Sequence, residues 1–233
     1  NIAAITGLTR LAPQGSASIY SAKLNHASLI DGVRLASSQS NAAVTLFDNT
    51  EPNSLIEDLK IDVRPLKLIV TDGVFSMDGD LAPIKKLLAI ANEYDALLLV
   101  DDAHGFGVLG KRGHGILEQE NICSDRIIYI GTLGKAAGVS GAFICAQDLF
   151  IEWLIQKGRP YIYSTATPPA IAHALLKSLD IIESDEGNQR RKNLHRLIQI
   201  WQSEMNFSIW KKIDSCTPIQ PVVLGSNANA LLA

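Results

Sequence analysis

The sequence has little cysteine, no long uninterrupted apolar run and almost no excess charge. Its three cysteines, Cys123, Cys145 and Cys216, lie far apart and form no Cys-x-x-Cys pair. An odd count at such spacings gives neither a disulfide framework nor a cysteine-based zinc site, and it points to a reducing, cytoplasmic setting. No apolar stretch reaches the roughly 18 residues that cross a bilayer, and no basic-then-apolar signal segment opens the chain. No membrane partner is therefore expected. The net charge of -3 supplies no field for nucleic acid. The one dense basic run, Arg190-Arg191-Lys192, reads as the solvated face of a helix. Internal repeats and low-complexity segments are also missing.

Several phosphate and nucleophile signatures are absent too. A Walker A loop needs a glycine, four residues, then Gly-Lys and a hydroxyl residue. Here Ala136 follows Lys135, and Tyr129 occupies the first glycine position. The run Gly138 to Ala142 ends on alanine where a nucleophile elbow needs glycine. The glycines of the 105–115 loop give little support to a dinucleotide-binding fold.

What is present is a substantial apolar fraction, 47% of 233 residues, against 19% charged. That is enough for one large domain or a large domain with part of a second. Strand and helix signals alternate. Strands are expected over 17–22, 43–47, 67–71, 96–100, 126–130 and 142–145. Helices are expected over 28–36, 52–59 and 83–94. KLIVT and ALLLV are apolar on both faces, which marks buried strands of a mainly parallel sheet covered by helices. The fold class is α/β. After Pro168-Pro169 a long helical pattern runs to Ser184, Gly187 is read as its interruption, and a second helix follows. Strand-like pieces are expected near 207–209 and 221–224. The boundary predicted from this is a large domain over 1–184 and the start of a small α+β domain over 185–233. Both chain ends stop inside apolar helical pattern, so each domain reads as incomplete.

Three strands end in polar, turn-rich sequence: TDGVFSMDGD, DDAHGFGVLG and GTLGKAAG. In an open α/β sheet ligands gather at the carboxyl ends of strands, so one shared site is expected there. Asp101 follows five apolar residues and needs a positive or hydrogen-bonding partner. With His104 it fits a metal ligand pair, the partner of a cation, or a cap of the next turn. No third metal ligand stands at a recognisable spacing, although His26 or His114 is available. Lys135 among small residues, with a carboxylate on a neighbouring strand end, fits pyridoxal phosphate. That cofactor needs an amine for its aldehyde, a carboxylate for its ring nitrogen and hydroxyls for its phosphate. Lys135, Asp101, Thr132 and Ser76 supply them. His26, just before a helix, reads first as a cap or a packed surface residue and only second as a functional group. YIYST supplies further hydroxyls in a turn.

Taken in order, NHASLIDG, TDGVFSMDGDLAPI, LLLVDDAHGFGVLG, GTLGKAAGVSGAF and YIYSTATPP resemble motifs of the α-oxoamine synthases. These are fold-type I pyridoxal-phosphate enzymes, and the resemblance covers nearly the whole chain. It implies that Lys135 carries the cofactor as a Schiff base and acts as general base. It implies Asp101 against the pyridine nitrogen, His26 stacked on the ring and positioning substrate, and His104 at the phenolic oxygen. Ser76 is a further cofactor contact and Thr132 a phosphate contact. Ser164 and Thr165 are implied to reach the phosphate of a neighbouring subunit, because the family forms homodimers with shared active sites. Within the family, VDDAHGFGVLG and TPIQPVVLG resemble the branch that condenses L-alanine with a pimeloyl thioester, of CoA or of an acyl-carrier protein, in biotin synthesis. Glycine-using branches usually carry Glu-Val-His or Glu-Cys-His where this chain has Asp102-Ala103-His104. The family's substrate-carboxylate arginine and an upstream glycine-aromatic pair have no counterpart in these residues. A glycine-using relative and a metal-dependent hydrolase built on Asp101, His104 and His26 are the alternatives.

Overall fold

The computed structural model describes residues 1–49 and 51–232. In chain order the elements are α1 (Ile2–Leu8), β1 (Ala17–Ala22), α2 (Ala27–Ser40), β2 (Ala43–Phe47), α3 (Asn53–Ile61), β3 (Leu66–Asp72), α4 (Ile84–Glu93), β4 (Ala96–Asp101), α5 (Ile116–Gln119), β5 (Ile127–Thr132), β6 (Ala142–Cys145), α6 (Asp148–Lys157), α7 (Arg159–Ile162), α8 (Pro169–Glu183), α9 (Asp185–Glu204), β7 (Lys211–Lys212), β8 (Val222–Val223) and α10 (Asn227–Leu232). Ala233, last in the terminal apolar run, lies outside the described residues.

Six strands form one sheet in the order β2-β1-β3-β4-β5-β6. All neighbours are parallel except β6, which runs antiparallel to β5. Strand side chains alternate between faces, and here both faces are covered. Leu98, Val100, Ile127 and Tyr129 enter one core with Leu55 and Leu59 of α3 and Ile84 and Leu87 of α4. Leu99, Ile128 and Ile130 enter the other with Ile5 and Leu8 of α1 and Leu29 and Val33 of α2. The expected α/β class with a mainly parallel sheet is what the chain forms.

Three local expectations change. The break between the last long helices falls at Ser184, whose Oγ accepts from Gly187 N at 3.4 Å, as an N-cap does. Gly187 sits inside α9. A Cβ there would stand 2.3 Å from Ile182 O, so the glycine permits close passage of α8 rather than ending it. Arg191 is buried, unlike Arg190 and Lys192, so the basic run is only partly a solvated face. Its guanidinium donates to Ile182 O at 2.7 Å and Lys111 O at 3.0 Å, satisfying a carbonyl that the end of α8 leaves open. The strand expected near 207–209 forms instead at β7, which pairs antiparallel with β8.

The segment around β7 and β8 is tied to the sheet through one turn. Ser215 Oγ and Thr217 Oγ1 donate to Gly79 O at 3.0 and 3.1 Å. Gly79 has φ 74°, and any Cβ there would strike Ser215 Oγ. That fastens the Ser76 turn from behind. The sheet core itself should show ordinary large-to-small sensitivity. Leu98→Ala, at a fully buried position, should cost about 2–5 kcal/mol in denaturant unfolding. Leu46→Ala, on exposed β2 sequence, should stay within about 0.5 kcal/mol.

Candidate active site

The carboxyl ends of β1, β3, β4 and β5 meet at one mouth of the sheet, and each delivers a functional side chain. Asp101 closes β4 and stands in register with Asp72, which closes β3. Both are buried. Asp101 Oδ2 accepts from Asn1 Nδ2 at 2.6 Å and its Oδ1 accepts from Ala103 N at 3.0 Å. Asp101 thus caps the following turn and still faces the mouth. Asp72 Oδ2 accepts the His26 backbone N–H at 2.7 Å. Its own N–H donates to Asn25 Oδ1 at 2.8 Å, and Asn25 Nδ2 donates to Val70 O at 2.9 Å. Burial, helped by the charge of Asp101, pushes Asp72 up to about 7, against the pull of the His26 N–H and Lys135.

Lys135 lies in the tight loop after β5, where Gly138 takes φ 64° and its N–H returns to Lys135 O at 2.9 Å. Lys135 Nζ is 2.7 Å from His104 Nε2. Burial lowers the lysine pKa, while Asp101 and then Asp72 pull it back up. Burial and the Lys135 charge together lower His104. The imidazole is therefore the neutral partner, and its Nε2 accepts from the amine. His26 caps α2: its Nδ1 accepts from Ser28 N at 3.2 Å and meets Ser28 Oγ at 2.7 Å. Its ring is exposed at the mouth, close enough to act electrostatically on His104. Lys135, His104, His26, Asp101 and Asp72 thus form one coupled group.

The remaining expected residues are spread more widely. Thr132 ends β5, and its Oγ1 donates to Gly141 O at 3.4 Å. Ser76 is half-buried in the turn after β3 and makes no side-chain hydrogen bond among the described residues. Ser164 and Thr165 are exposed after α7. Ser164 Oγ donates to Pro160 O, and no contact joins either residue to the Lys135 group. Among the described residues no three His, Cys, Asp or Glu side chains come together as a metal site, so the hydrolase alternative has no geometric counterpart. The run Gly105-Phe106-Gly107-Val108-Leu109-Gly110 does carry Gly-x-Gly-x-x-Gly spacing. It folds as a loop, and α5 begins only at Ile116, so no helix N-terminus faces a phosphate as a dinucleotide fingerprint requires.

Asp72, Asn25 and Asn1 were not anticipated. Asp72 follows KLIVT as Asp101 follows ALLLV, so the same run-then-acid pattern identifies it. Asn1 and Asn25 carry no such signal. The donor set meets the requirements of pyridoxal phosphate. Two buried acids stand side by side with no salt-bridge partner among the described residues, which is a place for a cationic ring. An amine whose pKa is lowered by burial stands beside them. A cavity of about 740 Å³, bordered by Lys135, His104, Phe106 and Ser178, opens next to the group.

The profile of the aminotransferase class I and II family matches residues 2–233. The chain belongs to this family. It is 52% identical over 228 residues to an 8-amino-7-oxononanoate synthase of Cupriavidus pinatubonensis, covering 96% of this chain and 55% of that protein. It is 50% identical over 231 residues to the synthase of the same name from a Janthinobacterium species, covering 99% and 57%. Among solved structures, a serine palmitoyltransferase variant from S. paucimobilis with a bound PLP–myriocin aldimine matches at TM-score 0.82 and 26% identity, covering 97% of this chain and 58% of that one. The 8-amino-7-oxononanoate synthase of Francisella tularensis matches at TM-score 0.69 and 33% identity, covering 86% and 56%. The chain therefore spans a little over half the length of the relatives it matches.

The Asp72 carboxyl ionises near 3.8 when free and near 7 in the folded chain. The folded state holds the proton more tightly, so ionisation removes stability as pH rises from about 4 to about 7. Asp72→Asn escapes this loss. Without added cofactor, its thermal midpoint relative to the parent should climb through that window and level off above it. A pH-independent difference contradicts the assignment.

Proposed function

We propose that this chain carries the pyridoxal-phosphate site of an 8-amino-7-oxononanoate synthase. The reaction condenses L-alanine with a pimeloyl thioester and yields 8-amino-7-oxononanoate, carbon dioxide and the free thiol. The observation that carries the reading is the pair of in-register acids, Asp72 and Asp101, beside the Lys135–His104 contact. The similarity at about half identity to proteins named for this activity supports the substrate assignment.

When bound, the cofactor supplies an aldehyde carbon for amines and a cationic ring that accepts electron density from the substrate Cα. Asp101, its oxygens already oriented by Asn1 and Ala103 N, is the anion for the ring nitrogen. Coulomb attraction there keeps that nitrogen protonated. Lys135 Nζ is the amine that holds the cofactor. Its lowered pKa favours the neutral form needed to take a proton from alanine Cα and to return one after carbon dioxide leaves. His104 fixes the direction of Nζ through Nε2 and would meet the cofactor's phenolic oxygen. His26, held by the Asp72 contact to its backbone, covers the ring face and positions alanine. Thr132 would bind the phosphate and Ser76 would add a cofactor contact, while Ser164 and Thr165 would reach the phosphate of a second subunit. Their exposure apart from the Lys135 group suits a homodimer with shared sites. The acyl donor is pimeloyl-CoA or the acyl-carrier-protein thioester, and the setting is the cytoplasm. No helix among the described residues is long and apolar enough to cross a membrane.

The test is thiol release by the full-length gene product, with alanine or glycine against pimeloyl and shorter acyl thioesters. Alanine with pimeloyl should be preferred, and Lys135→Ala should lower turnover by roughly 10³-fold or more. A preference for glycine, or turnover that survives Lys135→Ala, refutes the reading.

A further inference from the structure

Asp102 follows Asp101 directly, yet the two carboxylates leave on opposite faces of the sheet. Asp102 has no exposed surface. Its Oδ2 accepts from Ile116 N at 2.7 Å and from the Tyr129 hydroxyl at 2.8 Å, while Oδ1 is buried with no partner. No lysine or arginine forms an ion pair with it among the described residues. A buried acid of this kind opposes stability, and burial pushes it up to about 7 against the pull of the Ile116 N–H, the Tyr129 hydroxyl and the nearby Gly105 N–H.

The local geometry gives the group a use. The 103–115 loop starts at Asp102 and ends at Ile116, whose N–H returns to the Asp102 side chain. Phe106 N donates to Asp102 O at 2.9 Å, and Gly107 N donates to Gly113 O at 2.7 Å. Glycines let the chain wrap the carboxylate: a Cβ on Gly105 would lie 2.0 Å from Oδ1, and one on Gly115, at φ 89°, would lie 1.9 Å from Oδ2. His114 O lies 3.2 Å from the same hydroxyl, a second and more distant acceptor for its single proton. Burial and the neighbouring Asp102 raise the Tyr129 pKa, so the phenol stays a donor. His104 sits one residue before Gly105 on this loop, and its ring reaches Lys135 Nζ.

We propose that Asp102 and Tyr129 form a positioning pair: they close the 103–115 loop around one carboxylate and so hold His104 against Lys135. The importance of that contact rests on the reading of Lys135 as the reactive amine, but the pair can be tested without cofactor. Tyr129→Phe removes one hydroxyl and keeps the ring in the core. Asp102→Asn keeps the shape and removes the charge, and it carries the same readouts if Tyr129→Phe does not fold. In amide hydrogen exchange, Phe106, Gly107, Gly115 and Ile116 should exchange about tenfold faster or more in Tyr129→Phe. The amides of Leu98, Leu99 and Val100 should keep their rates. By NMR the His104 ring, released from Lys135 and from burial, should titrate at higher pH than in the parent. A purely structural role would accelerate exchange across the sheet by the same factor and leave the His104 midpoint in place. Either of those results overturns the proposal. Failure of the cofactor reading would leave these measurements unaffected, so the two failures are distinguishable.

Discussion

The end of β4 is the constraint on which the site depends. Two consecutive carboxylates on a pleated strand cannot face the same way. Val100 points into the core beneath α4 and Leu99 into the core beneath α1 and α2, so Asp101 and Asp102 continue that alternation. Asp101 emerges among Asn1 and the Lys135 group. Asp102 is driven under the following loop, against Tyr129 and Ile116 N. A single strand end therefore supplies both the acid that faces the mouth and the acid that shapes the loop carrying His104. A one-residue slip in register would exchange the two.

Charge balance explains why the rest of the mouth is arranged as it is. Asp72 and Asp101 are neighbours on adjacent strands, and the charge of Asp101 adds to burial in holding the proton on Asp72. Lys135 meets both acids electrostatically, but burial works against its own charge. The protein leaves this opposition unresolved with its own side chains. In the proposed function a cationic ring against Asp101 would relieve it on both sides. It would neutralise one acid and withdraw from Lys135 the attraction that favours its protonated form. The cofactor would then serve as the counterion of the sheet mouth and help to free the lysine.

The sheet was legible because its strands are short and apolar on both faces: KLIVT, ALLLV and RIIYI each became a central strand within one or two residues. Asp101 was legible because the first acid after such a run closes the strand at its carboxyl end, and Lys135 because it stands in a glycine loop just beyond RIIYI. What escaped was set by tertiary packing. Gly187 looked like a helix break, but it is the point where α9 passes the end of α8. Arg191 looked like surface charge, yet it turns inward to open carbonyls at Ile182 and Lys111. Asn1 and Asn25 act through long-range contacts, to Asp101 and to Val70 O, that no local pattern announces. Ser164 and Thr165 stand in the expected turn, exposed and apart from the Lys135 group of the same chain.

Lys135 stands apart from the other exposed lysines of the chain through its lowered pKa, its 2.7 Å contact with His104 and the adjacent acids. Covalent labelling tests this most directly. The protein is incubated with pyridoxal phosphate, reduced with borohydride and digested, and the modified lysine is located by mass spectrometry. The label is expected on Lys135 at low cofactor concentration, with its yield reduced in Asp101→Asn. Label spread over lysines such as Lys23, Lys60 and Lys85, with none favoured and Lys135 unmodified, would contradict it.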